Sequence, residues 1–113
     1  MTQQTMTVVA VFKARAKHEA RLRSLLTGML SSTRSEAGCL LYDLHRGESD
    51  PGLFFFYEIW TSPEAHAAHL ETEHVRHLLE ANRNLLKEPI REYRGWAIEP
   101  PASGAEELLD RRS

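Results

Sequence analysis

Leu53-Phe-Phe-Phe-Tyr-Glu-Ile-Trp60-Thr-Ser-Pro-Glu-Ala-His66-Ala-Ala-His69 is the stretch that decides the fold. Its first eight residues read as a strand and the remainder as a helix. Side chains alternate along a strand, so Phe54, Phe56, Glu58 and Trp60 share one face, and Leu53, Phe55, Tyr57 and Ile59 the other. Both faces are apolar and both need a cover. One carboxylate, Glu58, interrupts the Phe and Trp face. Thr61 or Ser62 can cap the following helix, and Pro63 falls in its first turn, where a missing N–H is harmless. Glu64 is placed to form a capping box with Thr61. The helix carries His66 and His69 one turn apart.

Moving toward the N-terminus, Cys39–Arg46 reads as a second strand. Leu40, Tyr42 and Leu44 share one face; Cys39, Leu41, Asp43 and His45 share the other. Gly47-Glu-Ser-Asp-Pro-Gly52 is turn-rich, so the two strands form an antiparallel hairpin. Leu22, Leu25, Leu26, Met29 and Leu30 fall on one helical stripe. That helix is expected to end near Ser35 to Ala37, with Gly38 supplying a positive φ. Thr7 to Ala14 is short and β-branched, a first strand expected to be central and covered on both faces.

Toward the C-terminus, Glu71-Thr-Glu73 reads as a helix break and restart. Val75, Leu78, Leu79, Leu85 and Leu86 then form a second stripe, with Asn82 inside it. Pro89 to Ile98 reads as a fourth strand, with Ile90, Trp96 and Ile98 on one face and Tyr93 and Ala97 on the other. Residues 1–6 are expected as a tail, residues 7–98 as the single domain, and residues 99–113 as a second tail. In that second tail Leu108 and Leu109 suit either a short docked helix or a frayed end.

The order strand, helix, strand, strand, helix pair, strand is that of an α+β, ferredoxin-like split βαβ sheet with helices on one face. Strands that are apolar on both faces leave a bare sheet face. A symmetric homodimer that stacks sheet on sheet would cover it.

Bulk properties narrow the function. The 113 residues are 42% apolar and 27% charged, which fits one soluble globular domain. A net charge of −2 with interspersed signs gives no electrostatic footprint for nucleic acid or an anionic membrane. Cys39 is the only cysteine, so no intrachain disulfide forms and a reducing cytoplasm is the expected location. The opening Met1-Thr-Gln-Gln-Thr5 shows no signal-peptide pattern, and no apolar run is long enough to span a bilayer.

A carboxylate among aromatic rings, next to a helix bearing imidazoles, is a candidate site. His69 is the first choice for a base, because an imidazole titrates near neutrality. Glu58 either pairs with an arginine such as Arg91 or Arg94, or is made a proton carrier by burial. Tyr42 suits a substrate oxygen or a dimer contact, and Asn82 a pocket lining or a helix-end hydrogen bond. Four histidines lie between His66 and His77. Yet there is no His-Glu-x-x-His motif, no thiolate cluster and no carboxylate at fixed spacing. Three helical steps also split the His66 and His69 directions by about 60°. Most of these histidines are expected to face solvent, and no metal is expected.

Glu36-Ala-Gly-Cys-Leu-Leu-Tyr42, Phe56-Tyr-Glu-Ile-Trp-Thr-Ser-Pro-Glu-Ala65, His69 and Thr72-Glu-His74 together resemble the antibiotic biosynthesis monooxygenase (ABM) domain, its quinol monooxygenase members most of all. The resemblance covers about residues 7–98. It implies a dimeric α+β barrel, with a pocket between each sheet and its helices. It also implies oxidation of a quinol or polyphenol by O2, with no metal, flavin or haem cofactor. On that resemblance His69 is the catalytic residue, and Trp60, Glu58, Tyr42, Phe54, Phe56 and Asn82 are substrate-binding. The partners are a second copy of the chain, an aromatic small molecule and O2. Relatives that degrade haem carry a helix Trp and an axial His, and an Asn on the first strand. Here His69 and Leu79 stand at the first two places and Thr7 to Ala14 holds no Asn, which argues against haem. The remaining alternative is a binding or isomerase member without oxygenase activity. A phosphorylated substrate would require Arg46, Arg76 or Arg83 to reach the pocket.

Overall fold

A computed structural model describes residues 4–98; the expected C-terminal tail lies outside the described residues. The elements run β1 (Met6–Lys13), α1 (Glu19–Thr27), α2 (Leu30–Arg34), β2 (Cys39–Arg46), β3 (Leu53–Trp60), α3 (Pro63–Leu70), α4 (Glu73–Ala81) and β4 (Arg91–Gly95). The four strands form one antiparallel sheet in the order β2-β3-β1-β4, the ferredoxin-like arrangement. No described helix is long and apolar enough to cross a membrane.

β1 and β3 pair along their whole length, from Met6 opposite Trp60 to Lys13 opposite Leu53. That register lays Val8, Ala10 and Phe12 beside Glu58, Phe56 and Phe54 on one face. All six are buried under the helices, with Leu22, Leu26, Val75 and Leu78. The opposite face is left half-covered: Val9, Val11, Phe55 and Ile59 are partly exposed and Tyr57 is exposed. β1 is therefore central, as its composition predicts, but a single chain covers it on one side only.

Several local expectations are corrected. The leucine stripe is not one helix. The Met29 N–H bonds back to the Leu26 carbonyl at 3.1 Å, a tighter i−3 turn that separates α1 from α2 beside the weak helix former Gly28. Gly38 has no positive φ. It is needed for close approach, because a Cβ there would collide with that of Ala65. In β2, Cys39 faces Trp60 and Leu41 faces Ile59, so Leu40 is a bulge residue and points out instead of joining the Tyr42 face.

Ser62, not Thr61, caps α3, accepting from Ala65 N–H at 3.1 Å. Thr72 caps α4 and also donates its hydroxyl to the His69 carbonyl at 2.7 Å, which fixes the break between the two helices. Asn82 is the C-cap of α4, so Leu85 and Leu86 lie beyond the helix; Leu86 forms an isolated bridge with Ala14. β4 stops at Gly95, opposite Thr7, because β1 offers almost no ladder beyond that point. Trp96 and Ile98 are exposed past its end.

Candidate active site

The buried face of β3 is the face that carries Phe54, Phe56, Glu58 and Trp60. Between that face and the helices lies a cavity of about 200 Å³. Phe12, Tyr42, Phe56 and Glu58 line it from the sheet, and His66 and His69 from α3. Val75 and Leu78 of α4 add apolar wall, and Glu92 of β4 adds a second carboxylate. The 60° split between His66 and His69 is too small to expel either one; both are buried, at 2% and 4% exposure.

Glu58 is 3% exposed and meets no arginine among the described residues. Its Oε1 accepts from the Trp60 indole N–H at 2.8 Å. Arg94 lies instead 3.6 Å from Glu92, and Arg91 3.9 Å from Glu88. Burial pushes the Glu58 carboxyl up to about 7, against the opposing effect of the Trp60 hydrogen bond. The consequence for stability has a definite sign. In the unfolded chain the group ionises near 4.5, whereas the folded chain keeps its proton until about pH 7. The associated stability is fully present below about pH 4.5 and is lost as pH rises through 7. Glu58→Gln retains an acceptor for Trp60 and removes the titration. Between pH 5 and pH 8 the native chain is expected to lose about 2–3 kcal/mol more than Glu58→Gln in urea denaturation. Parallel pH profiles would overturn this assignment.

His69 is held from both sides. Its ring lies 4.6 Å from that of Trp60 and 5.7 Å from that of Tyr42. Its Nδ1 is 2.8 Å from Glu36 Oε2. A carboxylate only accepts, so Nδ1 carries the proton and Nε2 is the nitrogen left for a molecule in the cavity. Burial lowers the His69 pKa, with Glu36 pulling the other way. Burial likewise lowers that of His66, whose Nε2 is 4.0 Å from Glu92 Oε2. Tyr42 stacks on Phe56 at 4.4 Å, and burial raises its phenol well above the ordinary range.

The predicted residues thus divide. His69, Glu58, Tyr42 and Phe56 line the cavity; Trp60, Phe54 and Asn82 do not. Trp60 stands behind Glu58 and His69 and braces both. The sequence reading gave no role to Glu36, His74, His66 or Glu92. Glu36 and His74 sit inside the motifs that carry the family resemblance, but their partnership depends on a contact across 38 residues: His74 Nε2 lies 2.7 Å from the same Glu36 oxygen. Among the described residues no lysine or arginine lines the cavity.

Comparison with known proteins bears on the family and the fold. The family described as antibiotic biosynthesis monooxygenase matches residues 5–81. Rv0793 of Mycobacterium tuberculosis, provisionally described as a monooxygenase, is 32% identical over 83 residues, covering 74% of this chain and 81% of that protein. Its solved structure superimposes with a TM-score of 0.81 at 28% identity, covering 87% of this chain and 99% of that one. PA3566 from Pseudomonas aeruginosa gives a TM-score of 0.83 at 29% identity, covering 88% of this chain and 99% of that one. An uncharacterized Synechocystis protein, sll1783, is 26% identical over 82 residues; the match takes in 73% of this chain but only 56% of the length of that protein.

Proposed function

The chain belongs to the antibiotic biosynthesis monooxygenase family, and from that membership we propose that it oxidises a compact quinol or polyphenol with O2 in the cavity beside His69. One observation carries the proposal: a half-open, aromatic-lined cavity meets an imidazole whose Nδ1 is tied to a carboxylate. An electron-rich phenol needs only to lose a proton to become a reductant of O2, so the substrate itself supplies the electrons. Phe56 and Tyr42 offer flat faces for the ring. His69 Nε2 accepts the phenolic proton, and the resulting imidazolium is stabilised through Nδ1 by Glu36. Glu58, whose carboxyl is pushed up to about 7, can in its protonated form donate to a second ring oxygen. Apolar walls from α4 exclude water.

Size and charge restrict the substrate. A cavity of about 150 Å³ holds benzene, so about 200 Å³ suits one substituted ring. A lining of two carboxyls and two imidazoles, with no lysine or arginine among the described residues, favours a neutral molecule over a phosphorylated diketone. The test is oxygen uptake by chelator-treated protein over a panel of one-ring hydroquinones and catechols. Uptake above the autoxidation background is expected; its absence across the panel would overturn the reading.

The half-covered outer face of β1 and β3 supports a homodimer formed sheet to sheet. Sedimentation at micromolar concentration is expected to give twice the 12.9 kDa of one chain. Ile59→Glu, which puts a charge on that face, is expected to yield the single-chain mass. A native species of 12.9 kDa would refute the assembly.

A further inference from the structure

We propose that Glu36, His69 and His74 form a binding site for one divalent first-row transition ion of the zinc type. The three side chains come from the ends of separate elements. Glu36 follows α2, His69 ends α3 and His74 begins α4. The turn fixed by Thr72 brings the two histidines to one side. Glu36 Oε2 lies 2.8 Å from His69 Nδ1 and 2.7 Å from His74 Nε2, and all three atoms fall within 4.8 Å of one another. Two imidazoles and a carboxylate are the donor set of catalytic zinc and non-haem iron sites. Tetrahedral ligand bonds of about 2.1 Å place neighbouring ligand atoms about 3.4 Å apart. Each nitrogen–oxygen pair, now 2.7–2.8 Å, would therefore open by about 0.6–0.7 Å as the ion enters, each neutral imidazole then carrying its proton on the ring nitrogen turned away from the ion.

The surroundings suit such an ion. The side chain of His69 is 5% exposed, those of Glu36 and His74 16% and 24%, so the site is buried on one side and reachable on the other. His74 also lines a surface cleft with Ser32, Arg76 and His77. The nitrogen donors disfavour calcium and magnesium, which take oxygen ligands. Three protein ligands leave at least one position open. Because His69 also lines the cavity, the ion would stand at the cavity wall. The lack of a carboxylate at fixed spacing weighed against a metal in the sequence; the fold supplies one from 33 residues away.

This inference stands apart from the oxygenase reading, since it is tested on the purified chain without substrate. Chelator-treated protein is titrated with zinc by calorimetry and with cobalt by visible absorption. One saturable site per chain is expected, weakened at least about 10–100-fold by Glu36→Gln or His74→Ala and unchanged by His77→Ala. Zinc is also expected to shift the 15N resonances of His69 Nδ1 and His74 Nε2 in the native chain, a readout that needs no variant. Charge-assisted hydrogen bonds alone also give distances of 2.7–2.8 Å. If they are the whole explanation, no saturable binding appears at micromolar ion, or binding follows His77 instead of Glu36 and His74; either result overturns the site.

Discussion

Trp60→Ala is expected to lower the stability of the chain by about 3–5 kcal/mol, a large share of the roughly 5–15 kcal/mol that holds a domain together. Three losses coincide. The indole is fully buried, so its removal opens a void that the paired strands cannot close. Its ring contacts with Tyr42 at 6.5 Å, His66 at 5.9 Å and His69 at 4.6 Å disappear together. The Glu58 carboxyl also loses the N–H that satisfies Oε1 at 2.8 Å. A buried polar group stripped of its partner costs about 1–3 kcal/mol by itself. Trp60→Phe separates the contributions, since it keeps most of the buried ring and removes the donor; a loss of about 1–3 kcal/mol is expected there. Both are measured by urea denaturation at fixed protein concentration, because self-association would stabilise the folded chain. A loss below about 1 kcal/mol for Trp60→Ala would show that the indole is not the brace described here.

The same residue shows what a sequence can and cannot disclose. Alternation along Leu53 to Trp60 places Trp60 beside Glu58 before any coordinates exist, because the two-residue period is local. The Ser62-Pro63 start of α3 is equally local. The pairing of Glu58 with the indole instead of an arginine is not local in that sense: it depends on β4 leaving Arg94 beside Glu92. The bulge at Leu40 is invisible for a related reason. Leu40, Tyr42 and Leu44 obey the alternation, and only the pairing with β3 forces an extra residue out of register. Asn82 allows two readings in the sequence, a pocket lining and a helix-end hydrogen bond; it ends α4, where its backbone N–H bonds to the Leu78 carbonyl, and it does not line the cavity. Glu36 carries no periodicity at all. It reaches His69 and His74 because Gly38 lets the start of β2 lie against α3.

That contact gives the second large effect. His69→Ala is expected to reduce oxygen uptake with the best quinol by about 10²–10⁴-fold, the usual contribution of a positioned acid–base group, while leaving the fold intact. The argument turns on which nitrogen is free. With Nδ1 committed to Glu36 at 2.8 Å, the ring is fixed in one tautomer and one orientation, and among the described residues Nε2 has no hydrogen-bond partner to outcompete a phenol. Alanine removes the acceptor and opens a space of imidazole size against the Trp60 ring. Added imidazole is therefore expected to restore part of the uptake in His69→Ala and none in the native chain. A merely structural role for His69 would give a lowered melting temperature with no such rescue. Glu36→Gln keeps an acceptor for Nδ1 but loses the charge opposite the imidazolium, so its loss should be smaller than that of His69→Ala. All three proteins are compared with chelator present, which removes any bound ion from the comparison. Uptake within about threefold of native in a well-folded His69→Ala, set against the expected 10²–10⁴-fold, would remove His69 from the chemistry and leave Glu58, His66 and Glu92 as the proton carriers in the cavity.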